Sequence, residues 1–144
     1  MKKLFAILLV CLVASCTAFA QCKKLTMRVT ANSTVVTDGR IELKDQKRLI
    51  WIVGDCAPLN AGYAYEFGPL YLVAPNGEKT ALKAKEVNNG PVFHYSISKQ
   101  FLVQYPQGFD LELEAIKRYN PDHSSEILPY KPEDLRLKVV PVAN

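Results

Sequence analysis

The sequence predicts an all-β fold, a single two-layer antiparallel β-sandwich. Three observations carry that prediction. Short segments alternate apolar and polar residues, turn signals recur at intervals of about a dozen residues, and no long stretch carries the 3.6-residue period of an extended helix. Roughly seven to nine strands are expected on this pattern. A small β-barrel is the alternative architecture, and the uneven spacing of the segments counts against it.

The chain begins with an export signal. Lys2 and Lys3 precede an apolar run from Leu4 to Val13, and Ala18-Phe19-Ala20 gives an A-x-A cleavage pattern ahead of Gln21. The run is shorter than the roughly 20 residues that span a bilayer, and no second such run follows. The expected organisation is therefore a signal peptide over residues 1–20 and one β-domain over residues 22–142, with no transmembrane helix. A second reading competes at the same place. Val13-Ala14-Ser15-Cys16 resembles the lipobox of bacterial lipoproteins, in which Cys16 becomes the acylated N-terminus and the domain hangs from a membrane. The expected location is accordingly periplasmic, cell-surface or secreted, with a lipid-anchored envelope protein as the alternative.

Of the four cysteines, Cys11 leaves with the signal and Cys16 is removed or lipidated, which leaves Cys22 and Cys56 as a pair. In an oxidising compartment that pair reads as a disulfide. Neither a C-x-x-C spacing nor an adjacent histidine supports a redox function. Removal of two lysines from 18 basic residues leaves 16 against 14 acidic ones, a net of +2. Such a balance is no footprint for nucleic acid.

Leu25, Met27 and Val29 alternate with Thr26, Arg28 and Thr30, the period of a half-buried strand. Asn32-Ser33-Thr34 and Thr37-Asp38-Gly39 are turn material, Ile41 and Leu43 resume the alternation, and Lys44 to Lys47 is a charged turn. Leu49 to Val53, around the only Trp, has no residue to give to solvent and is expected as a central strand covered on both faces. A loop from Ala57 to Gly62 leads to Tyr63, Tyr65 and Phe67, an aromatic face read as core, and Leu70 to Ala74 follows Gly68-Pro69. Pro75-Asn76-Gly77-Glu78 is the strongest hairpin signal, and its return strand, Lys79 to Lys85, carries the outward lysines of a sheet edge.

Asn88-Asn89-Gly90-Pro91 turns the chain into a strand from Val92 to Ile97, after which Ser98 caps a single helical turn through Leu102. Phe109, Leu111, Leu113 and Ala115 alternate with Asp110, Glu112 and Glu114 in the cleanest amphipathic strand of the chain. Asn120 to Pro132 is read as an irregular loop, and Leu135, Leu137 and Val139 close the fold. The whole pattern from Cys22 to Val142 resembles an immunoglobulin-like or fibronectin-like domain. The order Cys22, Trp51, Cys56 departs from the antibody arrangement, in which the Trp lies well between the two cysteines, so no family residue role is carried over.

No catalytic, cofactor or metal constellation is expected. Asp110, Glu112 and Glu114 share a face, yet a straight strand spaces them about 7 Å apart, and a solvated face explains them better than a Ca²⁺ site. His94, between Phe93 and Tyr95, reads as a surface strand residue. Asp122-His123-Ser124 has the residue types of a hydrolytic trio, but neighbours in sequence do not assemble that relay. Tyr119, His123 and Tyr130 in the long loop are the candidate binding surface, because loop tyrosines are hard to absorb into a core. The expected function is a non-enzymatic module that docks a protein partner in the cell envelope, within a secretion or assembly system. The alternatives are a carbohydrate-binding domain using exposed tyrosines and a small envelope enzyme or inhibitor built on the Asn120 to Pro132 loop, with His123 as its candidate residue.

Overall fold

A computed structural model describes residues 25–29, 34–54, 62–83 and 85–142. The predicted signal segment, Cys16, Cys22 and Cys56 lie outside the described residues, and so do the predicted lipidation and disulfide. Thirteen strands are present among the described residues: β1 (Leu25–Val29), β2 (Thr34–Val36), β3 (Arg40–Leu43), β4 (Lys47–Val53), β5 (Ala64–Phe67), β6 (Leu70–Val73), β7 (Lys79–Lys83), β8 (Glu86–Asn88), β9 (Val92–Ile97), β10 (Phe109–Leu113), β11 (Ile116–Tyr119), β12 (Ser125–Ile127) and β13 (Arg136–Pro141). One short helix, α1 (Lys99–Gln104), and a 3₁₀ turn, Pro132–Leu135, complete the set. The fold is all-β with no closed barrel among the described residues.

Three sheets form. Sheet A has the order β2-β1-β4-β9, sheet B the order β3-β13-β10-β6-β7, and sheet C the order β12-β11-β5-β8. Every pairing is antiparallel except β3 with β13, which run parallel. Sheets B and C are two halves of one bent layer, and the bend has an identifiable cause. The segments β5-β6 and β10-β11 run side by side, β6 pairing β10 and β5 pairing β11, and both break at the same height. Pro69 has no N–H to give to a ladder. Gly68 lets the two backbones come close, its N–H donating to the Ala115 carbonyl at 2.9 Å while Glu114 N–H donates to Pro69 O at 3.1 Å. A Cβ on Gly68 would stand 3.0 Å from that Ala115 oxygen, so the corner needs glycine for space. Strands that switch sheets at such bends make the corners of sandwiches.

The core is a single cluster fed by all three sheets. Leu49, Trp51 and Val53 of β4 meet Phe93 and Ile97 of β9, and Phe67 of sheet C stacks on Phe93 at 5.3 Å. Trp51 is fully buried, and its ring centroid lies 5.6 Å from that of Phe93. The predicted central strand is thus internal, between β1 and β9, but its two faces differ. Leu49, Trp51 and Val53 are buried, whereas Ile50 and Ile52 are only half-buried, because the outer face of sheet A is the outside of the sandwich.

Ser98 caps α1 by accepting a hydrogen bond from Gln100 N–H at 3.1 Å. The helix closes one end of the sandwich with the buried Leu102 and with Phe101 packed edge-on to Phe109. Gly108, at φ +96°, then returns the chain into β10. The Pro75–Glu78 hairpin forms as expected, with Gly77 at φ +86° and Glu78 N–H donating to the Asn76 side chain at 3.1 Å. Its return strand β7 is the edge of sheet B. The lysines around it are matched rather than free: Lys79 to Glu112 and Lys83 to Glu86, both at 2.6 Å, and Lys85 to Glu66 at 3.1 Å.

Candidate functional site

The segment expected as an irregular loop is built around a hairpin. β12 pairs β11 in register, Tyr119 opposite Ser125, and the turn between them is Asn120 to Ser124. Pro121 suits the second position of a type I turn, His123 N–H donates to Asn120 O at 3.0 Å, and Asn120 N–H donates to Ser124 O at 2.8 Å. This geometry needs one residue with positive φ before the second strand, normally glycine. Here it is His123, at φ +68°.

The same bonds decide what Asp122, His123 and Ser124 can do. Ser124 Oγ donates to Asp122 Oδ1 at 2.5 Å, and Ser124 N–H donates to the same oxygen at 2.9 Å. Those two bonds hold the Asp122 carboxyl below the usual carboxylate range. The hydroxyl proton points to Asp122, and Asn120 Nδ2 donates to the hydroxyl oxygen at 2.8 Å. A hydrolytic relay would instead direct that proton at an imidazole, so the trio closes a turn.

β11 sorts its side chains strictly by parity. Ile116 and Arg118 face the sandwich interior, in register with Phe67 and Tyr65, whereas Lys117 and Tyr119 face outward. On the inner side the Arg118 guanidinium lies 4.9 Å from the Tyr63 ring and pairs with Glu126. Beside it a small cleft of about 20 Å³ is bounded by Val53, Gly54, Leu128 and Tyr130. Tyr130 is half-buried there and packs on the core.

On the outer side the Tyr119 hydroxyl donates to Glu66, and the Lys117 ammonium sits 4.9 Å over the Tyr119 ring. Glu66 also accepts from Lys85, and its side chain is only 13% exposed. The Tyr119 hydrogen bond, followed by the Lys85 pair, lowers the Glu66 pKa. The three predicted surface residues are therefore not one surface. Tyr119 and His123 share a hairpin, with His123 at its tip, while Tyr130 belongs to the inner cleft.

A row that residue-by-residue reading of the sequence missed crosses the outer face of sheet C from edge to edge. In register it runs Val87 (β8), Glu66 (β5), Lys117 (β11), Ile127 (β12). Val87 is 60% exposed and Ile127 69%, two of the four large apolar side chains that are exposed among the described residues. β8 and β12 are three-residue strands of mostly polar residues, which is why neither is visible as a strand in the sequence and the row cannot be assembled without the pairing.

His94 is exposed on β9, as expected. The carboxylates of the Asp110 strand each have a protein partner: Arg136 donates to Asp110 at 2.9 and 2.6 Å, Lys79 holds Glu112, and the Tyr71 hydroxyl donates to Glu114 at 3.0 Å. Among the described residues no cluster of three His, Cys, Asp or Glu could hold a metal ion, and no helix is long and apolar enough to cross a membrane. Comparison with family models, curated proteins and solved structures finds no match to this chain.

Proposed function

We propose that the chain is an exported, non-enzymatic interaction module that docks another protein of the cell envelope through the outer face of sheet C. On this reading residues 1–20 direct export, a Cys22–Cys56 disulfide staples an immunoglobulin-like or fibronectin-like sandwich, and the β11-β12 hairpin carries the recognition surface. One observation carries the proposal: the row Val87, Glu66, Lys117, Ile127 places two exposed aliphatic side chains on either side of an acid and a base. Covering each aliphatic side chain is worth about 1 kcal/mol or somewhat more. The charges between them supply the polar pattern that fixes partner and orientation.

The tyrosines give the carbohydrate reading less support. A sugar stacks on a bare ring face, and the Tyr119 and Tyr63 rings already carry Lys117 and Arg118. The enzyme or inhibitor reading rests on His123, which occupies a turn position beside a hydroxyl engaged elsewhere.

The test is site-specific photo-crosslinking in native envelopes with a photoreactive residue at 127 or at 87, and with position 45 as an exposed control. Adducts with one distinct protein at 127 and 87, absent at 45 and weakened by Lys117→Glu, are the expected result. Adducts only with a second copy of this chain, or none above the control, overturn the proposal. Mass spectrometry of the mature N-terminus separates the two forms of export: cleavage after Ala20 gives a soluble domain, and a lipid adduct on Cys16 gives an anchored one.

A further inference from the structure

The outer face of sheet B holds a cleft that the docking surface does not use. It has a volume of about 340 Å³ and lies between the Ala74–Gly77 turn, the Gln107–Gly108 turn and the strands β10 and β13. Its floor is unusual. Val73 stands opposite Asp110, which puts it on the outer face of the sheet, yet it is only 7% exposed and lies outside the cluster that fills the sandwich. An apolar side chain buried on the outer face makes a dry patch at the base of a solvent-open cleft.

The charges around that patch are displaced along the strand by two residues. Asp110 is directly across from Lys138, and Glu112 is directly across from Arg136. Direct cross-strand pairing would satisfy all four. Instead Arg136 reaches back diagonally and places both Nε and Nη2 on Asp110 Oδ2, at 2.9 and 2.6 Å. Glu112 is taken by Lys79 at 2.6 Å, Glu114 accepts from Tyr71, and Glu42 on the neighbouring β3 is held by Arg40 at 3.2 Å. Each of these acids is thus engaged by a group other than Lys138. Lys138 lines the cleft and has no ion-pair partner among the described residues, and the cleft, holding Asp110, Arg136 and Lys138, carries a net charge of +1.

We propose that this cleft binds a small organic monoanion, a carboxylate on a short aliphatic body, with the carboxylate on Lys138 and the aliphatic part on Val73 and Pro75. The volume admits a ligand of about a dozen non-hydrogen atoms, toward the small end of ligand sites. A single surplus positive charge matches a carboxylate better than a phosphate dianion, which would also stand against Asp110. A free acyl amino acid and the C-terminus of a peptide present the same chemistry to these residues.

The full chain, labelled with ¹⁵N, is titrated with N-acetylvaline, with its uncharged methylamide, with a tetrapeptide ending in valine and with inorganic phosphate, following amide shifts by NMR. Shifts confined to residues 73–77, 107–110 and 136–138 are expected with the acid and absent with the methylamide. Lys138→Gln should weaken binding by about tenfold or more, the loss expected for one charge-assisted bond, and Lys138→Arg should restore much of it. Lys138 is exposed, so both variants keep the fold, and an unchanged spectrum away from the cleft confirms this. Shifts with the acid that the tetrapeptide reproduces would extend the site to chain termini, and shifts with the tetrapeptide alone would overturn the proposal. Equal shifts with acid and methylamide, stronger shifts with phosphate, or binding unaffected by Lys138→Gln would overturn it.

Discussion

Alanine at two glycines of similar backbone conformation should cost very different amounts. Gly77 and Gly108 sit at φ +86° and +96°, so a side chain is strained at both, by about 1 kcal/mol or somewhat more. Around Gly77 nothing lies within 4 Å of the position a Cβ would take. At Gly108 the same atom would fall 2.7 Å from the Val139 carbonyl oxygen, a backbone atom of the strand that pairs with Phe109. That oxygen cannot turn away, so β10 and β13 must separate by several tenths of an ångström where their ladder begins. An overlap of this kind adds about 1 to 3 kcal/mol, bringing Gly108→Ala to about 2 to 4 kcal/mol in all. For a domain of this size each kcal/mol moves the midpoint by about 3 to 5 °C. Thermal unfolding followed by circular dichroism should therefore show Gly77→Ala lowered by about 4 °C and Gly108→Ala by about 10 °C or more. Equal losses in the two variants, or a smaller one at Gly108, would refute the placement of the α1-β10 turn against β13.

His123→Gly should stabilise the protein by up to about 1 kcal/mol, because the turn position has φ +68°; a destabilised variant in urea unfolding would mean that the imidazole makes a contact worth more than the strain. Glu66 has a pKa lowered in the fold by Tyr119 and Lys85, so its contribution is present above the unfolded value of about 4.3 and lost as the pH falls through the folded value. The midpoint of Glu66→Gln should consequently fall less than that of the parent between about pH 5 and about pH 3, and parallel curves would count against the Tyr119–Glu66 bond. Trp51 is fully buried with its indole N–H unpartnered among the described residues. Trp51→Phe should cost less than about 2 kcal/mol, since losing an unsatisfied donor offsets part of the lost packing; a loss above about 4 kcal/mol would show that the N–H has a partner.

What the sequence revealed was local pattern: alternation, an unbroken apolar run and turn chemistry. The Phe109–Leu113 alternation and the Asn76-Gly77 hairpin became the expected elements, while the apolar run through Trp51 became the expected internal strand but is buried on one face and not on both. The alternation continues in the sequence to Ala115, but the strand ends at Leu113 because Pro69 and Gly68 on the neighbouring segment turn the whole layer. A corner made by two segments bending together is a property of their pairing, and neither sequence segment states it alone. This is also why thirteen strands stand among the described residues where roughly seven to nine are expected: long segments divide at corners, and β2, β8 and β12 are too short to alternate visibly.

The surface was legible only in part, and β11 shows the reason. Tyr119 stands out in the sequence as an aromatic in a loop, and Tyr130 stands out for the same reason, so sequence alone groups the two. Parity along a four-residue strand separates them, since Arg118 and its partner Glu126 look inward toward Tyr130 while Tyr119 looks outward toward Glu66. The residues that become neighbours on one face instead, Val87 and Ile127, are unremarkable in sequence and 40 positions apart. Each is a lone aliphatic residue in a polar stretch, and a lone exposed aliphatic residue is ordinary. Their alignment at the two edges of one sheet, with Glu66 and Lys117 between them, is what makes a surface. It follows that deleting one residue from the Asn120–Ser124 turn should move Ile127 to the side of the strand that Glu126 now occupies, because a one-residue slip sends every β12 side chain to the opposite face. Photo-crosslinking from position 87 should then lose its partner adduct although no side chain of the row has been changed, and an adduct that survives the deletion would show that the partner does not read the row as a unit.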